Sequence, residues 1–143
     1  ALNSHVCIKA YPERLTAENA EAIIGQYDLV LDGCDNFATR YLINDTCVRL
    51  GKVYIYGAIR AFDGQVSVFN YQGGPDYRRL FPDEEEMYRM PHPPKGVLGV
   101  TPGLIGCAEA NEALKIIVGY GEVLSGKLWQ IDLKTLETFT ILI

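Results

Sequence analysis

The sequence has little basic charge and no long apolar run, and each absence excludes a class of protein. Its 18 aspartates and glutamates outnumber 13 lysines and arginines, so a nucleic-acid partner finds no electrostatic footprint. No apolar stretch approaches the roughly 20 residues that span a membrane. Residues 1–10 mix His5, Cys7 and Lys9 with apolar residues, unlike a secretory signal peptide. We therefore expect a protein without a nucleic-acid or membrane partner.

Cysteine pairs and a glycine-rich phosphate loop are absent as well. The four cysteines include no Cys-x-x-Cys pair, which in a mixed α/β sequence favours reduced, mostly buried thiols in a cytoplasmic protein over a disulfide scaffold. The one glycine pair that suits a phosphate, Gly73-Gly74, is not expected to precede a helix. The residues of this chain are therefore not expected to cradle a phosphate by themselves.

The stretch over residues 28–51 organises the rest of the chain. It opens with the apolar run 29–31, which is typical of a strand buried on both faces of a parallel sheet. A helical pattern then begins near Phe37 and ends at Gly51. A second buried run follows at 53–56, and strands that alternate with helices in this way predict right-handed parallel crossovers.

The other predicted elements extend this sheet within a single domain over residues 1–143. In chain order they are a strand at 6–10, a helix at 17–26 capped by Thr16, a hairpin of 59–62 and 65–70 with Asp63-Gly64 as its turn, a helix capped by Thr101 that ends near 118, and an antiparallel strand pair at 127–132 and 138–142. Residues 73–95, rich in proline, glycine and charge, are expected to form a long flexible loop.

Polar residues fill the turn between the first buried strand and its helix. Asp32, Asp35 and Asn36 stand at the carboxyl end of a sheet strand, where open α/β folds bind ligands. Aspartate and asparagine also cap helices, because their side chains accept the free first-turn N–H groups. From this pattern alone capping is favoured for Asp35 and Asn36, with ligand binding as the alternative, and capping is favoured for Asp32 as well.

A longer set of motifs resembles the ThiF/MoeB/HesA family. The motifs are DGCDNFATR at residues 32–40, then Asn44, YGA at 56–58 and GQV at 64–66. Members of this family are bacterial relatives of ubiquitin-activating enzymes, and they adenylate the C-terminus of a ubiquitin-like sulfur-carrier protein. The resemblance implies an α/β fold, the second half of a Rossmann-like doubly wound sheet with an antiparallel C-terminal extension.

The resemblance also implies a nucleotide site at Asp35 and Asn36. In the family this Asp-Asn pair touches ATP, and the aspartate helps to hold Mg²⁺ on the triphosphate. A carboxylate beside a triphosphate needs such a bridging cation, so Asp35 is expected to act through Mg²⁺ and Asn36 directly or as a cap. Arg40, one helical turn beyond Asn36, is expected to pair with Asp35 or to bind a phosphate. The alternative for Arg40 is a surface ion pair with Asp45 or Glu21.

Three further positions match the family and also have a structural interpretation. Asn44 lies on the same helix face as Arg40, and a structural role is preferred for it. Arg60 and Gln65 lie around the predicted hairpin, where the family resemblance implies a partner's tail or the second subunit of a homodimer. For Gln65 an exposed strand residue is the preferred interpretation.

The sequence departs from the family at its zinc and sulfur-transfer positions. Many members bind zinc with two Cys-x-x-Cys pairs; here Asp76 and Arg79 stand at the first pair and no second pair follows, so we expect no zinc site. A cysteine that takes part in sulfur transfer in some members is replaced by His92, for which a solvated histidine is preferred over a general base. Cys34 and Cys107 are interpreted as structural thiols.

The family's phosphate loop and its other triphosphate-binding residues match nothing in residues 1–27, so the nucleotide-binding half is expected to be absent. The first residue is alanine, which fits a fragment of a longer enzyme or a degenerate remnant. The implied function is part of an ATP-dependent adenylyltransferase, a homodimer that activates a sulfur carrier of the molybdopterin or thiamine type. One alternative is a non-catalytic dimerising module. Another is half of a nicotinamide dehydrogenase, but this rests on analogy of fold, because the sequence lacks the dinucleotide fingerprint.

Overall fold

The computed structural model describes residues 3–91 and 96–143, and five strands in these ranges form one sheet. The strands are β1 (Leu29–Leu31), β2 (Val53–Arg60), β3 (Asp63–Phe69), β4 (Lys127–Asp132) and β5 (Glu137–Leu142). They lie side by side in chain order; β1 and β2 are parallel, and every later pair is antiparallel. The α/β class and the antiparallel C-terminal extension are therefore confirmed.

Helices cover both faces of this sheet. In the described ranges they are α1 (Ala20–Ile24), α2 (Phe37–Leu50), α3 (Tyr77–Leu80), α4 (Glu84–Arg89) and α5 (Val100–Val118). Side chains alternate along β2, so that Tyr54 and Tyr56 face α2 and α3 while Ile55 and Gly57 face α5. The connection through α2 is the crossover that two parallel strands require. None of these helices is both long enough and apolar enough to cross a membrane.

The core on the α2 side of the sheet consists largely of aromatic rings. Five rings from four elements are at most 2% exposed: Tyr41, Tyr54, Tyr56, Phe69 and Tyr77. Neighbouring rings among them have centroids 5.1–6.4 Å apart in tilted or edge-to-face arrangements, which aromatic pairs prefer over face-to-face stacking. This cluster holds α2 and α3 against β2 and β3.

The central strand and helix match their predicted bounds, but β1 is not buried on both faces as predicted, since Leu31 is 44% exposed beside the unpaired edge of the strand. The N-terminal predictions are partly wrong. α2 ends at Gly51, whose φ of 62° lies in the left-handed region that glycine tolerates. The strand predicted at 6–10 is absent, because β1 pairs with β2 alone and no described strand lies beside these exposed residues. The helix predicted at 17–26 is reduced to α1. Thr16 does not cap it; instead its backbone N–H donates to Asn19 Oδ1 (2.8 Å).

A hairpin forms here as predicted, but its first arm and the buried run at 53–56 are one continuous strand, β2, and its turn lies two residues earlier than predicted. Arg60 pairs with Asp63, so the turn consists of the two residues between them, and Ala61 takes the positive φ of 50°. Gly64 is not a turn residue. The side chain of Ile105 in α5 lies where a Cβ on Gly64 would be. Because Gly64 has no side chain, α5 can pack closely against β3.

The last helix and strand pair also agree with prediction, except at the start of the helix. α5 ends at Gly119, which has φ 79°, and β4 pairs with β5. Thr101 was predicted to be the N-cap, but Gly99 occupies that position. Thr101 lies within the first turn, is fully buried, and donates its hydroxyl to the carbonyl oxygen of Ala61 (3.1 Å). The hydroxyl thus ties α5 to the hairpin turn.

The segment expected to be a long flexible loop contains regular structure in its described part. Asp76 and Asp83 cap α3 and α4, and each side chain accepts a backbone N–H three residues ahead. Tyr77 is fully buried, and its backbone N–H donates to Asn44 Oδ1 (2.9 Å). The prediction that no helix follows Gly73-Gly74 is therefore wrong. The segment has little hydrophobic periodicity, but burial of the single aromatic ring of Tyr77 stabilises α3.

The four cysteines are free thiols in unlike environments. Burial raises the pKa of Cys47 to about 12, and burial together with Asp32 raises the pKa of Cys34 to about 12. Cys7 and Cys107 are exposed. The expectation that Cys107 is a packed structural thiol is wrong, because it lies on the face of α5 that is turned away from the sheet.

Replacing Asn44 by alanine should destabilise the protein. The substitution leaves the buried N–H of Tyr77 without a partner, which costs about 1–3 kcal/mol in the free energy of unfolding. Urea unfolding of the purified protein measures this loss. The control is Asn111→Ala, at an exposed amide on α5, which should change the free energy of unfolding by no more than about 0.5 kcal/mol. Equal midpoints for the two variants would show that α3 is not anchored on α2.

Iodoacetamide at pH 8 should modify Cys7 and Cys107 and spare Cys34 and Cys47. The thiolate is the reactive form, and the two burial-raised pKa values keep Cys34 and Cys47 protonated. Peptide mass mapping after short exposure reads the pattern directly, and urea-unfolded protein, in which all four thiols react, is the control. Rapid labelling of Cys34 in the folded protein would contradict its packing in the turn after β1.

Candidate functional site

The candidate site is the turn between β1 and α2, which we call the strand-end loop (residues 32–36). Asp32 extends the parallel ladder by one residue, because its N–H donates to the carbonyl oxygen of Ile55 (2.9 Å). Its Oδ1 then accepts the backbone N–H of Cys34 (2.8 Å), which folds the chain away from the sheet. Asp32 therefore stabilises this turn through its side chain, and the expectation that it caps the helix is wrong, because Asn36 holds that position.

A buried ion pair holds the strand-end loop against the sheet. Asp32 Oδ2 accepts from Arg40 Nε (2.9 Å) and from the hydroxyl of Tyr54 (3.0 Å). Arg40 Nη2 donates to the carbonyl oxygens of Cys34 (2.9 Å) and Gly57 (3.4 Å). A buried charge needs a partner and satisfied hydrogen bonds, and this arrangement supplies both. The guanidinium therefore joins the loop, α2 and β2 in one network.

The predicted partners of Arg40 are corrected by this network. Arg40 does not bond to Asp35, and neither proposed surface ion pair forms. Asp45 pairs instead with Arg78 (2.7 Å) and Glu21 with Arg49 (2.8 Å). Arg40 lies one turn inside α2, on the face that meets the sheet, which directs its side chain inward. Its role in binding a phosphate stays a prediction.

Asp35 and Asn36 lie together on the loop but are used differently. Asn36 is the N-cap of α2: its Oδ1 accepts the backbone N–H of Thr39 (2.9 Å). The side chain of Asp35 is exposed, and its one hydrogen bond is a long one from Asn36 Nδ2 (3.4 Å). The capping interpretation therefore holds for Asn36 and not for Asp35. The carboxylate of Asp35 is left facing solvent at the N-terminus of α2.

The other predicted positions have structural partners. The structural role of Asn44 is confirmed, since its amide anchors α3. Gln65 is half-buried and donates to the hydroxyl of Tyr56 (2.6 Å), so the expectation of an exposed strand residue is wrong. Gln130 donates in turn to Gln65 Oε1 (3.1 Å), across the pair β3 and β4. Arg60 is exposed at the end of β2.

The positions that match the family's first zinc-binding pair have another use here. The Asp76 carboxylate accepts the backbone N–H of Arg79 (3.1 Å) and so begins α3. Residues 3–91 and 96–143 contain no group of three or more His, Cys, Asp or Glu side chains placed to hold a metal ion. His92 lies outside the described residues, and its expected role is not addressed by the structure.

Glu109 is a site residue that no motif in the sequence indicates. It projects from α5 and is 7% exposed, with its Oε1 buried and without a hydrogen-bond partner. Its carboxyl group lies where a Cβ on Gly57 would be, two residues along β2 from Ile55, the partner of Leu31 at the end of β1. Burial, with a further contribution from Asp32 and against that of Arg40, raises the pKa of Glu109 to about 7. Glu109 follows the buried Ile105 by about one helical turn, and this spacing predicts that its side chain also points toward the sheet.

Relatives of this chain are adenylyltransferases by name. A probable molybdopterin-synthase adenylyltransferase of Pyropia yezoensis is 51% identical over 129 residues, covering 89% of this chain and 34% of the relative. The sulfur carrier protein adenylyltransferase of Thermus thermophilus is 49% identical over 138 residues, covering 92% and 51%. The adenylyltransferase and sulfurtransferase MOCS3 of Drosophila persimilis is 43% identical over 139 residues, covering 92% and 29%. The chain thus spans about a third to a half of these proteins.

Solved structures with the same fold are much less similar in sequence. PaaA superposes with a TM-score of 0.68 at 13% identity, covering 94% of this chain and 47% of PaaA. E. coli MccB with ATP superposes with a TM-score of 0.64 at 17% identity, covering 80% and 36%. At these identities the likeness concerns the fold alone. The ThiF family matches residues 1–143, the whole length of the chain. Together with relatives of 43–51% identity, this match shows that the chain belongs to the ThiF family.

Proposed function

We propose that this chain is part of an ATP-dependent adenylyltransferase, the C-terminal portion of its adenylyltransferase domain, and that the enzyme activates the C-terminus of a ubiquitin-like sulfur-carrier protein. The observation that carries the proposal is the position of Asp35, an exposed carboxylate that capping does not use, at the carboxyl end of a parallel strand. The names of the relatives favour a molybdopterin-type carrier over a thiamine-type one. A homodimer and a cytoplasmic location remain predictions.

The reaction joins the carrier's terminal carboxylate to the α-phosphate of ATP. A carboxylate oxygen forms a bond to the α-phosphorus, the bond from that phosphorus to the α,β-bridging oxygen breaks, and the products are an acyl-adenylate and pyrophosphate. Nothing in this step requires a covalent bond to the protein. The enzyme's contribution is to neutralise charge and to position the two reactants.

The residues of the strand-end loop fit a Mg²⁺-bound triphosphate. Mg²⁺ prefers oxygen ligands and neutralises phosphate charge when bound, and the carboxylate of Asp35 is an oxygen donor that faces solvent. Asn36 fixes the first turn of α2, whose N-terminus favours negative charge nearby. The ion pair of Asp32 and Arg40 holds the loop against the sheet. Asp35 is the residue to which we assign the catalytic role, with Asn36 beside it.

The nucleotide-binding half that the family resemblance implies has a place to join this fold. The outer edge of β1 is unpaired within the described sheet, and an apolar groove runs along it. Tyr27 and Leu31 at this groove are 41% and 44% exposed. We propose that a further part of the enzyme extends the sheet past β1 and brings the phosphate loop to Asp35.

A non-catalytic interaction module is the second candidate. Ile117 and Val118 at the end of α5 are each 68% exposed, and an apolar helix face of this kind is typical of a surface that meets another protein. This candidate assigns no chemistry to Asp35. The two functions therefore differ in what a charge-removing substitution at Asp35 does.

In the complete enzyme, Asp35→Asn should lower carrier-dependent exchange between ATP and pyrophosphate by at least about a hundredfold. The substitution keeps the shape of the side chain and removes the charge that holds Mg²⁺ against the α-phosphate, an interaction that acts mainly on the transition state. The urea midpoint should be unchanged, because Asp35 makes one long hydrogen bond and no ion pair in the described structure. Exchange of radiolabelled pyrophosphate into ATP is the measurement.

Asp45→Asn is the matched control on the same helix, since Asp45 pairs with Arg78 away from the loop. It should keep exchange within about threefold of wild type. Wild-type exchange in Asp35→Asn at limiting Mg²⁺ would contradict the role of Asp35 and favour the interaction module.

A further inference from the structure

Glu109 and Arg40 approach the same peptide of β2 from opposite faces of the sheet. Arg40 donates to the carbonyl oxygen of Gly57 (3.4 Å) from the α2 side. Glu109 occupies the space above the Cα of Gly57 from the α5 side, a space that any larger residue would fill. Gly57 lies at the level of Gly33, two residues past the pairing of Leu31 with Ile55. The carboxyl group of Glu109 therefore lies behind the end of β1, where Asp32 begins the strand-end loop.

Two acids and one base share this region. Asp32 acts on Glu109 from the end of β1 and Arg40 acts on it from α2. On α5 itself the next acid, Glu112, is already bonded to Lys115 and to the backbone N–H of Leu124. The faces of β2 and β3 toward α5 carry no titratable side chain; they present Ile55, Gly57, Ile59, Gly64, Val66 and Val68. Because Asp32 already neutralises Arg40, Glu109 has no counter-charge of its own.

We propose that Glu109 is a positioning residue of the strand-end site. While Glu109 is neutral, Arg40 stays paired with Asp32 alone. When Glu109 ionises, it places an uncompensated negative charge behind the loop that carries Asp35. Oε1 is buried and unpartnered, so burial penalises the ionised form, and the backbone of Asp32, which favours that form, offsets only part of this penalty. The effect on catalysis rests on the proposed function, since it requires a triphosphate at the loop. A triphosphate carries like charge and therefore favours the neutral form of Glu109.

The sign of the pH dependence follows from the raised pKa. In the unfolded chain Glu109 ionises near its ordinary value of 4.5, and in the folded protein it ionises at about 7. Between these values the folded state binds the extra proton, so stability is highest at the low end and falls as pH rises toward 7. Binding of ATP should extend the neutral range upward, and the wild-type enzyme should take up a proton on binding ATP just above pH 7.

The experiment compares the complete wild-type enzyme with Glu109→Gln, which keeps size and shape but cannot ionise. Carrier-dependent pyrophosphate exchange is followed from pH 6 to pH 8.5. The ratio of the Glu109→Gln rate to the wild-type rate should rise above pH 7 by up to about tenfold per pH unit. Glu112→Gln, which removes a buried acid one turn along α5, should keep the wild-type profile. Parallel profiles for wild type and Glu109→Gln would overturn the inference.

A second readout separates this inference from the proposed function. In protein labelled with ¹⁵N-glycine, the amide signal of Gly33 should titrate with a midpoint near pH 7 in wild type and should not do so in Glu109→Gln. Loss of exchange in wild type at every pH would reject the proposed function, and the Gly33 titration would then decide the role of Glu109. A Gly33 titration that persists in Glu109→Gln would overturn that role whatever the exchange assay shows.

Discussion

The ion pair between Asp32 and Arg40 is the interaction on which the candidate site depends. Its members come from the end of β1 and the second turn of α2, and its remaining donors reach Cys34 and Gly57. Both side chains are buried, so removing one partner leaves an uncompensated charge in the interior, a loss of roughly 3–5 kcal/mol in other proteins. Without this pair the strand-end loop has few attachments to the sheet.

This network divides the polar residues of the loop into distinct roles. Asp32 stabilises the turn and pairs with Arg40, and Asn36 caps α2. Asp35 has neither role. Glu109 supplies a second acid from the opposite helix, and Gly57 permits its approach. The site thus combines the free carboxylate of Asp35 with the neutralised pair of Asp32 and Arg40. This arrangement suits an anionic ligand that binds through a bridging cation. That is the chemistry which the proposed adenylation requires.

The sequence predicts the parts of this fold whose signals are local. The apolar run of β1, the stop at Gly51 and the closing antiparallel pair all follow from composition and periodicity. The errors arise where long-range packing decides. Gly64 reads as a turn residue but admits Ile105, and the isolated segment 6–10 reads as a strand but has no neighbour with which to pair.

The site shows the same limit. Residue types and the family resemblance single out Asp35, Asn36 and Arg40, but the partner of Arg40 depends on where α2 meets the sheet. Glu109 lies far along the sequence and carries no motif, so its place in the site depends on the packing of α5 against β2. A glycine inside a strand of large residues, such as Gly57, is the signal that a close approach was needed.

A double-mutant cycle on the buried pair shows whether Asp32 and Arg40 hold the strand-end loop through their interaction with each other. The free energy of unfolding is measured by urea for wild type, Asp32→Asn, Arg40→Met and the double variant. Each single substitution should cost about 3 kcal/mol or more, and the double variant should cost at least about 2 kcal/mol less than their sum. Additive losses within about 0.5 kcal/mol would show that Asp32 and Arg40 act independently and that the pair does not hold the strand-end loop.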